Sequence, residues 1–216
     1  MIFKNWPFFF FKRKLIRWAD SGYYPPSSRL PETIRLSRTI WHTISEIKKN
    51  SAIDGAERGV TVLDIDGTMI ITPAIIGESE KVLLKHQFRV QYQYDPSTQR
   101  CFREIYRDNH LIIKDYFITK TPPKKINLRV LFNIHTHPDG QRANFFSQTD
   151  LEGFLSSPKT PAMILVAADT WLVLKTNKIT SFPSHLLPYP SLKEYAKLGL
   201  VFYKGGIRER LKRVKE

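Results

Sequence analysis

The chain has little cysteine and no long hydrophobic run. Cys101 is the single cysteine in 216 residues, so no disulfide can form within the chain. This excludes a small disulfide-stabilised scaffold and favours a reducing compartment. No apolar stretch approaches the ~20 residues that a membrane-spanning helix needs, and no secretory leader with a small-residue cleavage site is recognisable. We therefore expect a cytoplasmic protein that is neither secreted nor membrane-spanning.

Acidic residues are also few. The chain has 20 Asp and Glu against 34 Lys and Arg, a formal net charge of +14. Residues 1–20 and 204–216 each contribute +4. Such an excess suggests nucleic acid, an anionic membrane or an acidic partner. The sequence has no zinc finger, no RNA-binding aromatic motif and no convincing helix-turn-helix, so we do not favour nucleic acid.

The composition is that of an ordinary globular protein, with 42% hydrophobic and 25% charged residues. We expect one central domain at residues 31–190, preceded by a basic aromatic arm at 1–30 and followed by a basic tail at 191–216. The aromatic residues of this segment either pack on the domain as an extra strand or arm, or contact an anionic membrane weakly.

Hydrophobic periodicity and turn residues predict the elements of the central domain and of the tail. The expected helices lie at 31–49, 149–156, 191–198 and 207–215. Strands are expected at 60–64 and 69–76 around the Asp66-Gly67 turn, at 88–94, 100–107 and 111–119, at 128–136, and at 162–167 and 171–175. The three strands between 85 and 125 form a β insertion.

The most informative segment is Ile134-His135-Thr136-His137-Pro138. Alternate residues of a strand project from the same face, so His135 and His137 point together and can bind one cation. Pro138 ends the strand, and the loop after it returns the chain so that Asp150 can be the third ligand. Two imidazoles and one carboxylate leave a fourth position for water, which is typical of a catalytic zinc site.

Each part of this pattern also has a simpler interpretation. A His-x-His pair on a strand is often only polar surface. Ser147 and Asp150 could merely cap the next helix, with Ser147 as its N-cap and Asp150 in its first turn. Their combination at the end of an apolar strand is what favours a metal site.

These residues resemble the signature of the JAMM (MPN+) metalloproteases, which is an upstream Glu, then His-x-His-Pro, then Ser-x-x-Asp. This chain has Glu57, His135-Thr136-His137-Pro138 and Ser147-Gln148-Thr149-Asp150. The resemblance implies an α/β (α+β) fold, with a mixed, mainly antiparallel sheet flanked by helices. Glu78 and Glu80 are the alternatives for the acid, and Glu57 is preferred because it lies directly between the first helix and the first strand.

The resemblance also implies a function. One Zn2+ per chain activates a water, Glu57 accepts its proton, and Ser147 donates a hydrogen bond to the oxyanion. The substrates are amide bonds at the C-terminus of ubiquitin or ubiquitin-like proteins, cleaved alone or with an activating partner subunit. The β insertion is a candidate specificity element. The competing hypothesis is a basic protein of the same fold that binds nucleic acid or an anionic surface without cleaving anything.

Overall fold

The structure is a computed structural model, described here for residues 5–77, 86–138, 144–181 and 191–215. The helices in this part of the chain are α1 (Phe8–Ser21), α2 (Arg38–Asp54), α3 (Gln148–Leu155) and α4 (Leu192–Lys197). The strands are β1 (Asn5–Trp6), β2 (Thr33–Ile34), β3 (Arg58–Ile65), β4 (Thr68–Ile71), β5 (Ile75–Ile76), β6 (Phe88–Asp95), β7 (Arg100–Arg107), β8 (His110–Ile118), β9 (Leu128–Thr136), β10 (Ala162–Val166), β11 (Thr170–Lys175), β12 (Leu200–Gly205) and β13 (Leu211–Arg213).

Ten strands form one large mixed sheet in the order β1-β2-β13-β12-β11-β10-β9-β3-β4, with β5 also paired to β3. The pairs β1–β2 and β9–β10 are parallel, and the others in this sheet are antiparallel. Strands β6, β7 and β8 form a separate antiparallel sheet. The expected α+β class, with a mainly antiparallel sheet, is therefore confirmed.

Helices α1 and α2 cover one face of the large sheet. The side chains of Phe11, Leu15 and Trp18 in α1 are buried in the same core as Ile40 and Ile44 of α2. The expected arm is therefore part of this core and is mostly helical, because its apolar residues recur at helical spacing and face the sheet. The prediction of an extra strand holds only for the two residues of β1.

The helix predicted at 31–49 begins later than expected. Ser37 is its N-cap and accepts a hydrogen bond from the Ile40 amide, so Pro31 and Glu32, the first residues of the predicted helix, lie before its first turn. Thr33 and Ile34 instead pair with Leu211 and Lys212 of β13. This long-range pairing outweighs the local helix signal, which sequence periodicity cannot reveal.

The predicted helix at 207–215 is wrong for the same reason. Leu211–Arg213 is a strand that joins β12 to β2 in the large sheet. Leu211 is fully buried. Lys212 and Arg213 of the basic C-terminal segment are therefore integrated into the sheet between β12 and β2. The short helix predicted at 191–198 is present as α4.

The opposite face of the large sheet is covered partly by helices α3 and α4 and partly by the β6–β8 sheet. Helices α3 and α4 pack on β10, β11 and β12 through Leu151, Phe154 and Tyr195. The β6–β8 sheet packs on β3 and β9 through Val90 and Ile105. The predicted β insertion is present, and its three strands share a core with the domain.

No helix in the described residues is long and apolar enough to cross a membrane.

Candidate metal centre

Strand β9 lies between β3 and β10 in the middle of the large sheet. His135 pairs with Gly59 of β3 on one side and with Leu165 of β10 on the other. His137, just past the strand, remains attached because its amide donates to the Val166 carbonyl at 3.0 Å. The two imidazoles project from the face that α3 covers, as the alternation of a strand predicts.

A register shift in the β3–β9 ladder determines which other side chains share that face. Val62 pairs with Phe132 and Leu63 with Val130, so Leu131 is the extra residue of a bulge. Val130 consequently faces the β6–β8 sheet although it differs from His135 by an odd number of positions. Strict alternation of side chains along 128–136, without the bulge, would instead place Val130 on the face covered by α1 and α2.

Helix α3 supplies the third group. Asp150 Oδ1 lies 3.3 Å from His135 Nε2, and Asp150 Oδ2 lies 3.3 Å from His137 Nε2. One potential ligand atom from each of the three residues falls within 4.8 Å of the others, which is close enough for a shared metal ion. The prediction that the chain brings these three residues together is confirmed.

The environment of His135 fits a metal ligand. Its side chain is fully buried, and neither ring nitrogen makes a hydrogen bond with acceptable geometry. Buried polar atoms in proteins are nearly always satisfied, and an unsatisfied one costs roughly 1–3 kcal/mol. Two imidazoles and one carboxylate are donors that zinc accepts.

The Asp150 carboxyl is largely removed from solvent. Burial alone raises its pKa, but the electrostatic attraction of the neighbouring His135 and His137 more than compensates. The resulting pKa lies far below the ordinary value of a carboxyl group. Asp150 is therefore an anion at neutral pH, as a metal ligand must be.

Ser147 and Asp150 also form a capping box at the start of α3. The Ser147 hydroxyl accepts from the Asp150 amide at 3.1 Å and donates to Asp150 Oδ2 at 2.8 Å, and the Ser147 amide donates to the same oxygen at 2.8 Å. The simpler capping interpretation is thus correct for the structure as it stands. It coexists with the candidate metal group, because Oδ1 remains directed at His135. The oxyanion role of Ser147 remains a prediction.

Glu57 lies beside this group. Its Oε1 atom is 3.8 Å from His137 Nε2, and its side chain is almost completely buried. The residue immediately precedes β3, whose Gly59 pairs with His135. Glu78 and Glu80, the alternative acids, lie outside the described residues.

Two hydroxyl side chains that sequence reasoning did not use also belong to this region. Thr136 Oγ1 accepts from the Arg58 amide at 2.9 Å and donates to Ser51 Oγ at 3.1 Å. Ser51 Oγ donates to the Ala56 carbonyl at 2.6 Å. Thr136 is recognisable in the sequence only as the residue between the histidines, and nothing in the sequence of α2 indicates Ser51.

Three other polar residues have contacts of their own. Asn133, on the same face as His135, accepts a hydrogen bond from the Thr61 hydroxyl of β3 at 2.9 Å. His42 lies exposed on α2 near Glu46, and His86 pairs with Asp108. Neither histidine takes part in a second metal group among the described residues.

Comparison of the chain with protein family models, with curated proteins and with solved structures finds no match.

Proposed function

We propose that the protein is a zinc-dependent hydrolase of amide bonds. The proposal depends on one observation above all, the convergence of His135, His137 and Asp150 with the Glu57 carboxylate at their side. Three protein ligands, leaving one position for water or substrate, are typical of catalytic rather than structural zinc. Resemblance to the JAMM signature supports the same reaction class.

Each residue has a role that follows from its chemistry. His135, His137 and Asp150 would hold the ion, which would supply Lewis acidity and lower the pKa of a bound water toward neutrality. Glu57 is placed to accept the proton of the attacking water and to return it to the leaving amine. Ser147 orients the Asp150 carboxylate, because its hydroxyl and its amide both donate to Oδ2.

The substrate class follows from the resemblance and is an amide or isopeptide bond at the C-terminus of a ubiquitin-like protein. A folded substrate needs a docking surface beside the site. The β6–β8 sheet lies on the same face of the large sheet as His135 and exposes Leu111, Tyr116 and Ile118 on β8. We infer that this sheet contacts the folded part of the substrate.

The test is incubation of the purified protein with ubiquitin-like fusion proteins, with and without a chelator. We expect cleavage at the fusion junction that the chelator abolishes and added zinc restores. If the wild-type protein is folded, contains no metal and instead binds DNA with a steep salt dependence, the competing hypothesis of a basic binding protein is correct.

A further inference from the structure

The backbone that carries Glu57 is attached to the metal-binding strand by a chain of hydroxyl groups. Starting from the Arg58 amide, each donor meets one acceptor: Arg58 N–H donates to Thr136 Oγ1, Thr136 donates to Ser51 Oγ, and Ser51 donates to the Ala56 carbonyl. All three distances lie between 2.6 and 3.1 Å. Every hydroxyl proton in this relay therefore has a defined direction.

The two ends of the relay are the two peptide units that flank Glu57. The Ala56 carbonyl belongs to the peptide bond before Glu57, and the Arg58 amide belongs to the peptide bond after it. The Glu57 carbonyl itself accepts from the Gly77 amide at 2.9 Å. The backbone on both sides of the acid is thus fixed to α2 and β9.

Thr136 is the last residue of β9 and lies between the two candidate ligands His135 and His137 in the sequence. Its side chain is buried and points to the face opposite His135 and His137, toward Ser51 of α2. It therefore cannot bind the metal. The same two β9 peptide units that set the direction of the imidazoles also set the position of the Thr136 hydroxyl.

We propose that Thr136 is a positioning residue that sets the location of the Glu57 carboxylate relative to the metal ligands. The inference rests on the proposed function for its catalytic consequence, but the structural link from Thr136 to the Glu57 backbone does not. Replacing the hydroxyl by a methyl group removes an acceptor from Arg58 N–H and a donor to Ser51 without changing the size of the side chain.

The test compares Thr136→Val, Thr136→Ser and wild type. In Thr136→Val we expect faster hydrogen exchange at the Arg58 amide, unchanged zinc content, and kcat lower by roughly tenfold or more with little change in KM. Thr136→Ser keeps the hydroxyl, so it should restore both amide protection and kcat. Thr43→Val serves as the control, because the Thr43 hydroxyl donates to the Thr39 carbonyl within α2 and its side chain is only partly buried.

Ser51→Ala provides a second variant that interrupts the relay at its other hydroxyl, in case Thr136→Val does not fold. It should reproduce the loss of kcat with zinc retained. Unchanged Arg58 exchange in a folded Thr136→Val protein, or normal kcat in both variants of an active enzyme, overturns the inference. Absence of amide hydrolysis in the wild type contradicts the proposed function instead, while the hydrogen-exchange result still decides whether Thr136 holds this backbone.

Discussion

His137 Nε2 lies 3.8 Å from Glu57 Oε1, although the whole β6–β8 sheet separates the two residues in the sequence. The proximity arises because β3 and β9 are direct antiparallel neighbours. The start of β3 therefore meets the end of β9, and an acid just before one strand faces a histidine just after the other.

The metal site predicts a simple stoichiometry. We expect one zinc per chain by elemental analysis, with His135→Ala and Asp150→Ala each losing it, because a site with three protein ligands binds weakly when one is removed. His42→Ala is the control, since His42 is exposed on α2. Full zinc content in the two ligand variants places the metal elsewhere.

The role of Glu57 predicts a separation between binding and catalysis. Glu57→Gln should keep the zinc and lose at least ~100-fold in amide hydrolysis, because the general base is removed without touching a ligand. Zinc content and turnover are measured on the same preparation. If Glu57→Gln remains active while Glu78→Gln or Glu80→Gln does not, the acid has been assigned to the wrong residue.

The exposed face of β8 predicts an effect on large substrates only. Ile118→Ser should weaken cleavage of a ubiquitin-like fusion while hydrolysis of a short peptide and zinc content stay unchanged, because the side chain is 76% exposed and remote from the core. Ile53→Ser, at 73% exposure on α2, is the matched control. Equal cleavage by both variants would exclude Ile118 from the docking surface.

A point substitution in β8 is preferable to deletion of the β6–β8 sheet, because removing that sheet would expose the buried side chains of Leu63 and Ile65.

The buried side chain of Lys175 should make the free energy of unfolding depend on pH. Burial lowers the pKa of this lysine to about 7, with its Nζ atom donating to the Ser157 carbonyl and lying 4.3 Å from the centre of the Phe154 ring. In the unfolded chain Lys175 keeps an ordinary, higher pKa, so this side chain binds more protons there than in the folded chain between pH 7 and roughly 10.5. Its contribution to stability therefore rises with pH in that range.

Replacing Lys175 by methionine removes this effect. Lys175→Met should be more stable than wild type at pH 7 by roughly 2–4 kcal/mol, an advantage that disappears toward pH 10.5. Urea unfolding at several pH values measures the difference. A difference that does not change with pH contradicts the explanation. Lys178→Met, an exposed substitution, controls for the loss of one positive charge.

The integration of α1 predicts that the N-terminal segment stabilises the whole fold. Leu15→Ala should lower the free energy of unfolding by about 2–5 kcal/mol, because Leu15 is completely buried against the sheet. Phe9→Ala, at 72% exposure in the same helix, should change it by less than about 0.5 kcal/mol. Similar values for the two variants would mean that α1 is a detachable arm.

Several local predictions are confirmed because their signals are short-range. The Asp66-Gly67 turn has both residues at positive φ, as a two-residue hairpin loop requires. Strand β9 spans Leu128–Thr136 as expected, and Ser147 begins the following helix through its own capping box. Each depends on residues close together in the chain.

The errors occur where distant segments pair. Thr33–Ile34 and Leu211–Arg213 were both predicted to be helical, and each is a strand because it pairs with the other. Strands from the two ends of the chain, β1 and β13, consequently enter the same sheet. Lys12 of α1 pairs with the buried Asp64 at 3.2 Å, so part of the positive charge is structural.

The sequence by itself determined which three residues form the candidate metal group, because alternation along one strand and the Ser147–Asp150 spacing are local properties of the chain. It also determined the scarcity of cysteine and of acidic residues. Only the tertiary structure decided that Glu57 lies beside His137, that Thr136 and Ser51 hold the backbone around it, and that the ends belong to the core. Those relationships depend on which strands become neighbours, and hydrophobic burial over the whole chain selects that order.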